Sequence, residues 1–344
     1  MSYFIFDSTA ESSAMTDKIT FIDLFAGIGG FHLAFHNLGA ECVFASEWDK
    51  DARKTYEANF AKISPELFKK NTKGETRFAG DITKVDASKI PDFDILTGGF
   101  PCQPFSIIGA KAGFEHETQG TLFFDIERIL KEKQPKAFVL ENVRNLTAHD
   151  KGKTFKIIIE HLEKLGYFVH YKIINALDYG VPQKRERIII VGFKENVPFS
   201  FPAPLPIEKR ATIKDILETG NIEDKYFVKP EIRDRRHAKM LLKTITEPSR
   251  PYITHENVSG SVTPHSYSCA LRAGASANYI LINNERRPTE RELLRIQGFP
   301  DWFKVVVSYS GIKKQTGNAI AVPAIESVAR EVLKSLRLFK EIKK

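Results

Sequence analysis

The chain has 344 residues, 42% of them hydrophobic, and a formal net charge of +8. This length suits two domains, or one large domain with an insertion. No apolar run reaches the roughly 18 residues that cross a membrane, and the first residues lack a secretory signal pattern. Three widely spaced cysteines argue against a disulfide scaffold, and the absence of CxxC and HExxH motifs argues against zinc. We therefore expect a cytoplasmic protein without a metal, whose basic charge fits a polyanionic partner such as nucleic acid.

Short apolar strands alternate with amphipathic helices through the first half of the chain. The pattern predicts strands at 19–25, 41–47, 92–99, 136–143, 167–175 and 186–193. It predicts helices at 29–39, 50–60, 120–134 and 152–166. The last strand is expected to pair with the one before it. Strands of near-continuous Val, Ile, Leu and Phe that alternate with helices indicate an α/β fold with a doubly wound, mostly parallel sheet.

The pattern changes after Phe193. A proline-rich segment at 196–209 suits a domain boundary, and the region that follows has irregular strand and helix signals with many polar residues. Clear helical periodicity returns near the C-terminus. The predicted parts are an N-terminal extension at 1–17, a first domain at 18–194, a smaller irregular domain at 195–285 and a C-terminal segment at 286–344.

A glycine-rich turn, DLFAGIGGF, lies between the first predicted strand and the first predicted helix. Gly27, Gly29 and Gly30 let the backbone turn tightly and let a ligand approach the N-terminus of the helix. About 20 residues further on, at the end of the next strand, Glu47 can accept both hydroxyls of a ribose. The pattern is GxGG and not the full GxGxxG, so a dinucleotide and another adenosine-containing cofactor both remain possible here.

Three further side chains favour S-adenosylmethionine over NAD. Phe25 and Trp48 offer flat faces for an adenine, and Asp81 is placed to accept from the adenine amino group. The alternative is that the two aromatic residues belong to the core. A carboxylate and two aromatic rings beside the glycine turn make an adenosine-containing cofactor the better prediction.

The stretch GGFPCQPFS places Cys102 directly after a predicted strand, at the edge of the sheet where ligands bind in open α/β folds. This cysteine is a buried thiol, half of a disulfide, a metal ligand or a nucleophile. Glu141 stands at the end of the next strand, and the hairpin VPQKRERIII carries Gln183, Arg185 and Arg187. Nearby positive charge favours the thiolate form of a cysteine at neutral pH. The two predicted neighbouring arginines therefore favour the role of nucleophile for Cys102.

Nine blocks of the sequence, in this order, resemble the DNA (cytosine-5)-methyltransferases of bacterial restriction-modification systems: DLFAGIGG, EWD, GDI, GGFPCQPFS, GTLFFDIERIL, ENV, QKRER, RPTERELLRIQGFP and QTGNAIAVP. The resemblance covers nearly the whole chain. It implies an S-adenosylmethionine-dependent methyltransferase fold, with 18–194 as the catalytic domain and 195–285 as the target-recognition domain. It also implies methyl transfer to C5 of a cytosine that is flipped out of duplex DNA.

Two alternatives to this activity are a tRNA cytosine-5 methyltransferase and a catalytically idle DNA-binding relative. The tripeptide CFT, which the tRNA-modifying relatives carry, is absent from the sequence. The intact residues Cys102 and Glu141 argue against an idle protein. The resemblance also implies double-stranded DNA as partner, a monomer and a functionally paired restriction endonuclease.

The resemblance assigns roles residue by residue. Cys102 adds to C6 of the cytosine, Glu141 acts at N3, Arg187 steadies the base or the thiolate, and Arg185 acts in the pocket. The implied DNA contacts are Ser106, Gln183 and Arg185. The implied cofactor-binding residues are Phe25, Gly27, Gly29, Gly30, Glu47, Trp48, Asp81, Ile82, Pro101, Leu122 and Asn318. The position of Asn318 requires a helix at about 321–336 to pack back onto the catalytic domain.

Two stretches of the recognition region are candidates for contact with DNA. The basic cluster RDRRHAKMLLK at 233–243 contacts phosphate or forms a solvated helix face. The stretch 259–279 is rich in small polar residues and is expected to form loops that enter the major groove. It contains Cys269, for which we expect a packing role.

Overall fold

The computed structural model describes residues 18–101, 122–241 and 248–342. The strands within these ranges are β1 (Thr20–Leu24), β2 (Glu41–Ser46), β3 (Phe78–Ala79), β4 (Ile95–Gly99), β5 (Ala137–Val143), β6 (Phe168–Asn175), β7 (Gln183–Lys184), β8 (Glu186–Phe193), β9 (Ile253–Glu256), β10 (Val262–His265), β11 (Ser268–Cys269) and β12 (Ile280–Ile282). The helices are α1 (Gly30–His36), α2 (Lys50–Phe60), α3 (Leu122–Lys133), α4 (Lys153–Lys164), α5 (Ile213–Ile216), α6 (Pro230–Leu241), α7 (Glu290–Ile296), α8 (Tyr309–Asn318) and α9 (Val322–Ile342). No helix in these ranges is long and apolar enough to span a membrane.

One seven-stranded sheet forms the centre of the molecule, in the order β3-β2-β1-β4-β5-β8-β6. Strands β1 to β5 are parallel, and β8 runs antiparallel to both β5 and β6. The chain builds outward from β1 to β3 and then crosses to β4 on the other side of β1. Such a reversal opens a crevice at the carboxyl ends of the strands. The predicted doubly wound, mostly parallel sheet is confirmed.

Both faces of this sheet are covered, which explains the continuous apolar strands. Successive strand residues point to opposite faces. Phe21 lies in the buried cluster that includes residues of α1 and α9, whereas the next residue, Ile22, lies in the cluster that includes residues of α3 and α4. Both side chains are fully buried.

The C-terminal helix α9 returns to the first domain, as predicted. It packs against α1, where the Asn37 side-chain amide donates to Glu326 Oε2 at 3.0 Å. Further along α9, the Ser335 hydroxyl donates to the carbonyl of Pro198 at 2.7 Å. The chain therefore closes on itself, with its last helix covering one face of the central sheet.

The proline-rich segment also packs on the first domain. The Tyr179 hydroxyl donates to the carbonyl of Pro202 at 2.9 Å, and Phe199 and Phe201 pack against the core of the first domain. The predicted domain division at residue 195 stays a prediction, but the chain remains attached to the first domain for about ten residues beyond it.

The region that follows is built on small sheets. β9 pairs antiparallel with both β10 and β12. β11 pairs parallel with β7, so that Ser268 lies opposite Gln183 and the region is joined directly to the first domain.

Arg236 of the basic cluster is fully buried and cannot contact phosphate in this structure. On α6 it donates to Glu256 Oε2 at 2.8 Å, Asn284 Oδ1 at 3.0 Å and Thr254 Oγ1 at 2.9 Å. The exposed Arg235 pairs with the same Glu256. Both predicted roles of the cluster are therefore wrong for Arg236, because the helix uses this cation to bind the sheet β10-β9-β12.

We expect Arg236→Ala to lower the free energy of unfolding by about 3 kcal/mol or more, since it leaves buried acceptors without a donor. The matched control is Arg235→Ala on the exposed side of the same helix, for which a loss of about 0–1 kcal/mol is expected. Urea unfolding measures both. Equal losses in the two variants would contradict the structural role of Arg236.

Candidate active site

A cavity of about 650 Å³ opens at the carboxyl ends of β1, β2, β4 and β5, where the sheet order reverses. Its volume is in the range of small-molecule sites. The predicted site residues that line it are Phe25, Gly27, Glu47, Trp48, Asp81, Ile82, Pro101, Leu122, Glu141, Arg185, Arg187 and Asn318. The fold thus brings to one place side chains that are separated by nearly three hundred residues.

The three glycines of the turn have different tasks. Gly27 has a φ of +55°, lines the cavity, and leaves open space where a Cβ would project. Gly29, with a φ of +85°, would place a Cβ 2.2 Å from the ring of Phe60, and Gly30 would place one 2.4 Å from Ile320 Cγ1. Of the three, only Gly27 leaves space through which a ligand could approach the backbone. Gly29 and Gly30 make room for packing behind the cavity wall.

Glu47 follows β2 and is held by the backbone of its neighbours. Its Oε2 accepts from the N–H of Gly27 at 2.8 Å, and its Oε1 accepts from the N–H of Asp49 at 2.7 Å. Burial raises the pKa of Glu47, and the two backbone donors oppose this shift. Each carboxylate oxygen keeps a free lone pair, so the group is oriented and can still accept hydrogen bonds from a ligand.

The predicted adenine contacts stand around the same end of the cavity. Trp48 has 78% of its surface exposed, so its ring faces the opening and is not a core aromatic. Asp81 accepts from the backbone N–H and the hydroxyl of Thr83, and the hydroxyl is the main cause of its lowered pKa. The following Ile82 is buried. An exposed ring, a carboxylate and an apolar side chain fit one edge and one face of a purine.

Glu141 and Arg187 form an ion pair on the cavity wall. Arg187 Nε donates to Glu141 Oε1 at 2.8 Å, with 20% and 12% of the two side chains exposed. The pair arises because β5 and β8 run antiparallel, which brings the end of one strand beside the start of the other. The guanidinium orients the carboxyl group at a largely buried position, where electrostatic interactions are stronger than at the surface.

Cys102 and Ser106 lie outside the described residues. The residues on either side of that gap, Pro101 and Leu122, both line the cavity. Asn142, which was not among the predicted site residues, donates to the carbonyl of Phe100 at 3.0 Å. It thereby fixes the backbone two residues before Cys102. Its position next to Glu141 in the block ENV is the sequence feature that could have identified Asn142 as part of the site.

Gln183 does not reach the surface, so its predicted contact with DNA is not supported. Its side chain is fully buried; Nε2 donates to the carbonyl of Ile296 and to Gln297 Oε1, and Oε1 accepts from the N–H of Leu271 at 3.0 Å. Every polar atom of the side chain already has a partner inside the protein.

Arg185 is also buried, with 3% of its surface exposed, which removes it from the DNA backbone. Its guanidinium donates to three backbone carbonyls, those of Leu271 at 3.1 Å, Gly317 at 3.2 Å and Ala319 at 2.7 Å. Burial, followed by the nearby Arg187, lowers its pKa to about 9, so the group stays protonated at neutral pH. It lines the cavity as a structural cation.

Asn318, the last residue of α8, lines the cavity on the side of the C-terminal segment. That helix is tied to α2 by an ion pair of Lys314 with Asp49 at 2.7 Å and by a hydrogen bond between Thr55 and Gln315 at 3.0 Å. Lys314 and Gln315 also line the cavity and were not among the predicted site residues. They lie four and three positions before Asn318, a spacing that places them on its side of the helix.

The family model for C-5 cytosine-specific DNA methylases matches residues 19–334 of the chain. Among similar proteins, the Type II methyltransferase M.NgoBI of Neisseria gonorrhoeae is 51% identical over 90% of this chain and 91% of that protein. The Type II methyltransferase M.HaeII of Haemophilus aegyptius is 49% identical over 92% of this chain and 93% of that protein.

Similar solved structures include the Dnmt2 methyltransferase of S. pombe, with a TM-score of 0.66 and 17% identity over 93% of this chain and 99% of that one. A putative DNA modification methyltransferase from an E. coli prophage gives the same TM-score at 22% identity, over 93% of this chain and 100% of that one. These likenesses establish the methyltransferase fold. No cluster of three or more His, Cys, Asp or Glu that could hold a metal occurs among the described residues.

Gly27→Ala and Gly29→Ala are expected to separate ligand binding from packing. Gly29→Ala should lower the free energy of unfolding by about 2–5 kcal/mol, through its clash with Phe60 and its left-handed backbone. Gly27→Ala should lose only about 1–2 kcal/mol but weaken cofactor binding, because its methyl group enters the cavity. Chemical unfolding and calorimetric titration with S-adenosylmethionine measure the two effects. The opposite ranking of stabilities would contradict the packing role of Gly29.

Proposed function

Because this chain belongs to the C-5 cytosine-specific DNA methylase family and is a DNA cytosine-5-methyltransferase of the restriction-modification type, we propose the following mechanism for it. The enzyme methylates C5 of a cytosine flipped out of a specific duplex sequence, through a covalent bond between Cys102 and C6. Cytosine is a weak carbon nucleophile, and a covalent route divides the difficult step into easier ones. A base inside a duplex is out of reach, so it must leave the stack.

The observation that carries this proposal is the Glu141–Arg187 pair on the wall of a cavity that Pro101 also lines. Cys102, the next residue in the sequence, lies outside the described residues, and its role as nucleophile follows from the family to which the chain belongs. Arg187 orients the carboxyl group of Glu141 on the cavity wall, where this group would act at N3 of the base. Arg185 supports the same wall from behind.

The residues around the glycine turn fit S-adenosylmethionine. Glu47 would accept the ribose hydroxyls, Trp48 and Phe25 would pack on the adenine, and Asp81 and Ile82 would hold its edge. Pro101, Leu122 and Asn318 would border the methionine part. The space in front of Gly27, which a Cβ would fill, lies in this part of the cavity. When bound, this cofactor supplies an electrophilic methyl group on a sulfonium.

The residues of the chain would act in sequence on the base. Cys102 as a thiolate forms a bond to C6, while Glu141 stabilises or supplies a proton at N3, which makes C5 an enamine-like carbon. C5 would then form its bond to the methyl group as the bond between that methyl carbon and the sulfonium sulfur breaks, which would leave S-adenosylhomocysteine as a neutral thioether. Loss of the C5 proton returns the electron pair that expels Cys102 and leaves 5-methylcytosine. A restriction endonuclease with the same target sequence is the proposed functional partner.

The direct test uses tritiated S-adenosylmethionine with duplex DNA, single-stranded DNA and tRNA. We expect label in duplex DNA, and we expect Cys102→Ser to reduce it to background while cofactor affinity stays nearly unchanged. Label in tRNA without label in duplex DNA would contradict the proposed substrate. Turnover by Cys102→Ser would remove that residue from its role. Bisulfite sequencing of genomic DNA from an expressing host identifies the methylated site.

Cofactor binding should weaken on acidification. Burial raises the pKa of Glu47, so this carboxylate takes up a proton at a higher pH than an exposed glutamate does. A protonated group accepts the ribose hydroxyls less well, and affinity therefore falls as the pH drops through the raised pKa. Glu47→Gln should weaken binding about tenfold or more and remove most of this dependence. Calorimetric titrations across a pH series measure both; parallel curves for the two proteins would contradict the assignment.

A further inference from the structure

Three segments that are distant in sequence meet behind Asn318. Arg185 donates to the carbonyls of Gly317 and Ala319, which flank Asn318 on both sides. Gln297 donates to the carbonyls of Thr316 and Ala319. The backbone that carries Asn318 is thus held by two buried side chains, although Asn318 itself is exposed toward the cavity.

The same side chains hold a segment of the recognition region, residues 271–273. Arg185 donates to the carbonyl of Leu271, and Gln183 accepts from the N–H of Leu271. Gln183 also donates to Gln297, which completes the set. A Cβ on Gly317 would lie 2.2 Å from the backbone nitrogen of Ala273, so the two backbones are in direct contact.

We propose that Gln183, Arg185 and Gln297, here called the clasp, are positioning residues that fix Asn318 in the cofactor site and hold residues 271–273 against it. The inference rests on the proposed function, in which Asn318 borders the methionine part of S-adenosylmethionine. Since one set of hydrogen bonds supports both segments, cofactor binding and recognition share one mechanical support.

The burial of the clasp decides its role. Gln183 and Gln297 are fully buried and Arg185 is almost so, which excludes them as readers of base edges. A buried carbonyl that loses its donor is left unsatisfied, so the backbone shifts to find another partner. A lysine at position 185 keeps the charge but lacks the planar fork that reaches three carbonyls.

The test is a double-mutant cycle with Asn318. Arg185→Lys is expected to raise the dissociation constant for S-adenosylmethionine roughly tenfold in the otherwise native protein. In the Asn318→Ala background the same change should have an effect below about twofold, because the residue through which it acts is gone. Titration calorimetry on the free enzyme measures all four affinities. Equal fold-changes in both backgrounds would overturn the proposal.

Two further variants guard against a general loss of structure. Gln297→Met removes the hydrogen bonds to the carbonyls of Thr316 and Ala319. It should also raise the dissociation constant for S-adenosylmethionine in the native protein and have little effect in the Asn318→Ala background. Arg291→Lys is the matched control, because Arg291 donates to the carbonyls of Pro300 and Phe303 and does not line the cavity. It should leave cofactor affinity unchanged; an equal loss there would overturn the inference.

Gly317→Ala tests the shared support from the recognition side. Its methyl group forces residues 271–273 away, so the KM for duplex DNA and the dissociation constant for S-adenosylmethionine should rise together, each severalfold. A change in only one of them would overturn the proposed coupling. If the native enzyme bound no S-adenosylmethionine at all, the proposed function itself would fail, which separates that outcome from failure of the clasp.

Discussion

The structure depends on one buried cation. The guanidinium of Arg185 donates to carbonyls at positions 271, 317 and 319, and so joins the first domain to the predicted recognition region and to the C-terminal part of the chain. Removing a charge from water is unfavourable unless hydrogen bonds compensate it, and here three carbonyls do so. Because these carbonyls belong to different parts of the chain, the two terminal nitrogens of the guanidinium find their partners only when the whole chain has closed. The buried Nε has no hydrogen-bond partner among the described residues.

That closure explains how an exposed cavity wall is built from distant segments. The glycine turn supplies one side, and Gly30 accepts Ile320 in the place of its missing side chain. The end of α8 supplies the opposite side through Asn318, and the pair of Lys314 with Asp49 holds α8 to the N-cap of α2. Packing behind the wall and charge pairs at its rim therefore set the width of the cavity.

The sequence predicted the fold and the composition of the site well, for reasons that are local. Strands buried on both faces are continuously apolar, and α2 begins and ends where its periodicity predicts. Site residues follow strand ends, and the reversal of strand order makes these ends converge. Glu141 and Arg187 were assigned to one pocket on this ground, and the structure brings them into direct contact. Assignments of their chemical roles came from resemblance and stay predictions.

The order of the elements, the edge of the sheet at which the site lies and the types of side chain that line it could all be predicted from local sequence patterns. Which polar residues face the cavity and which are buried behind it depends on how distant segments pack together. In the sequence, nothing distinguishes three buried polar residues from surface residues that contact nucleic acid. These are Gln183, Arg185 and Arg236, and each is enclosed by the protein. The physical reason is that hydrogen-bond partners far away along the chain determine burial, and no local pattern encodes those partners.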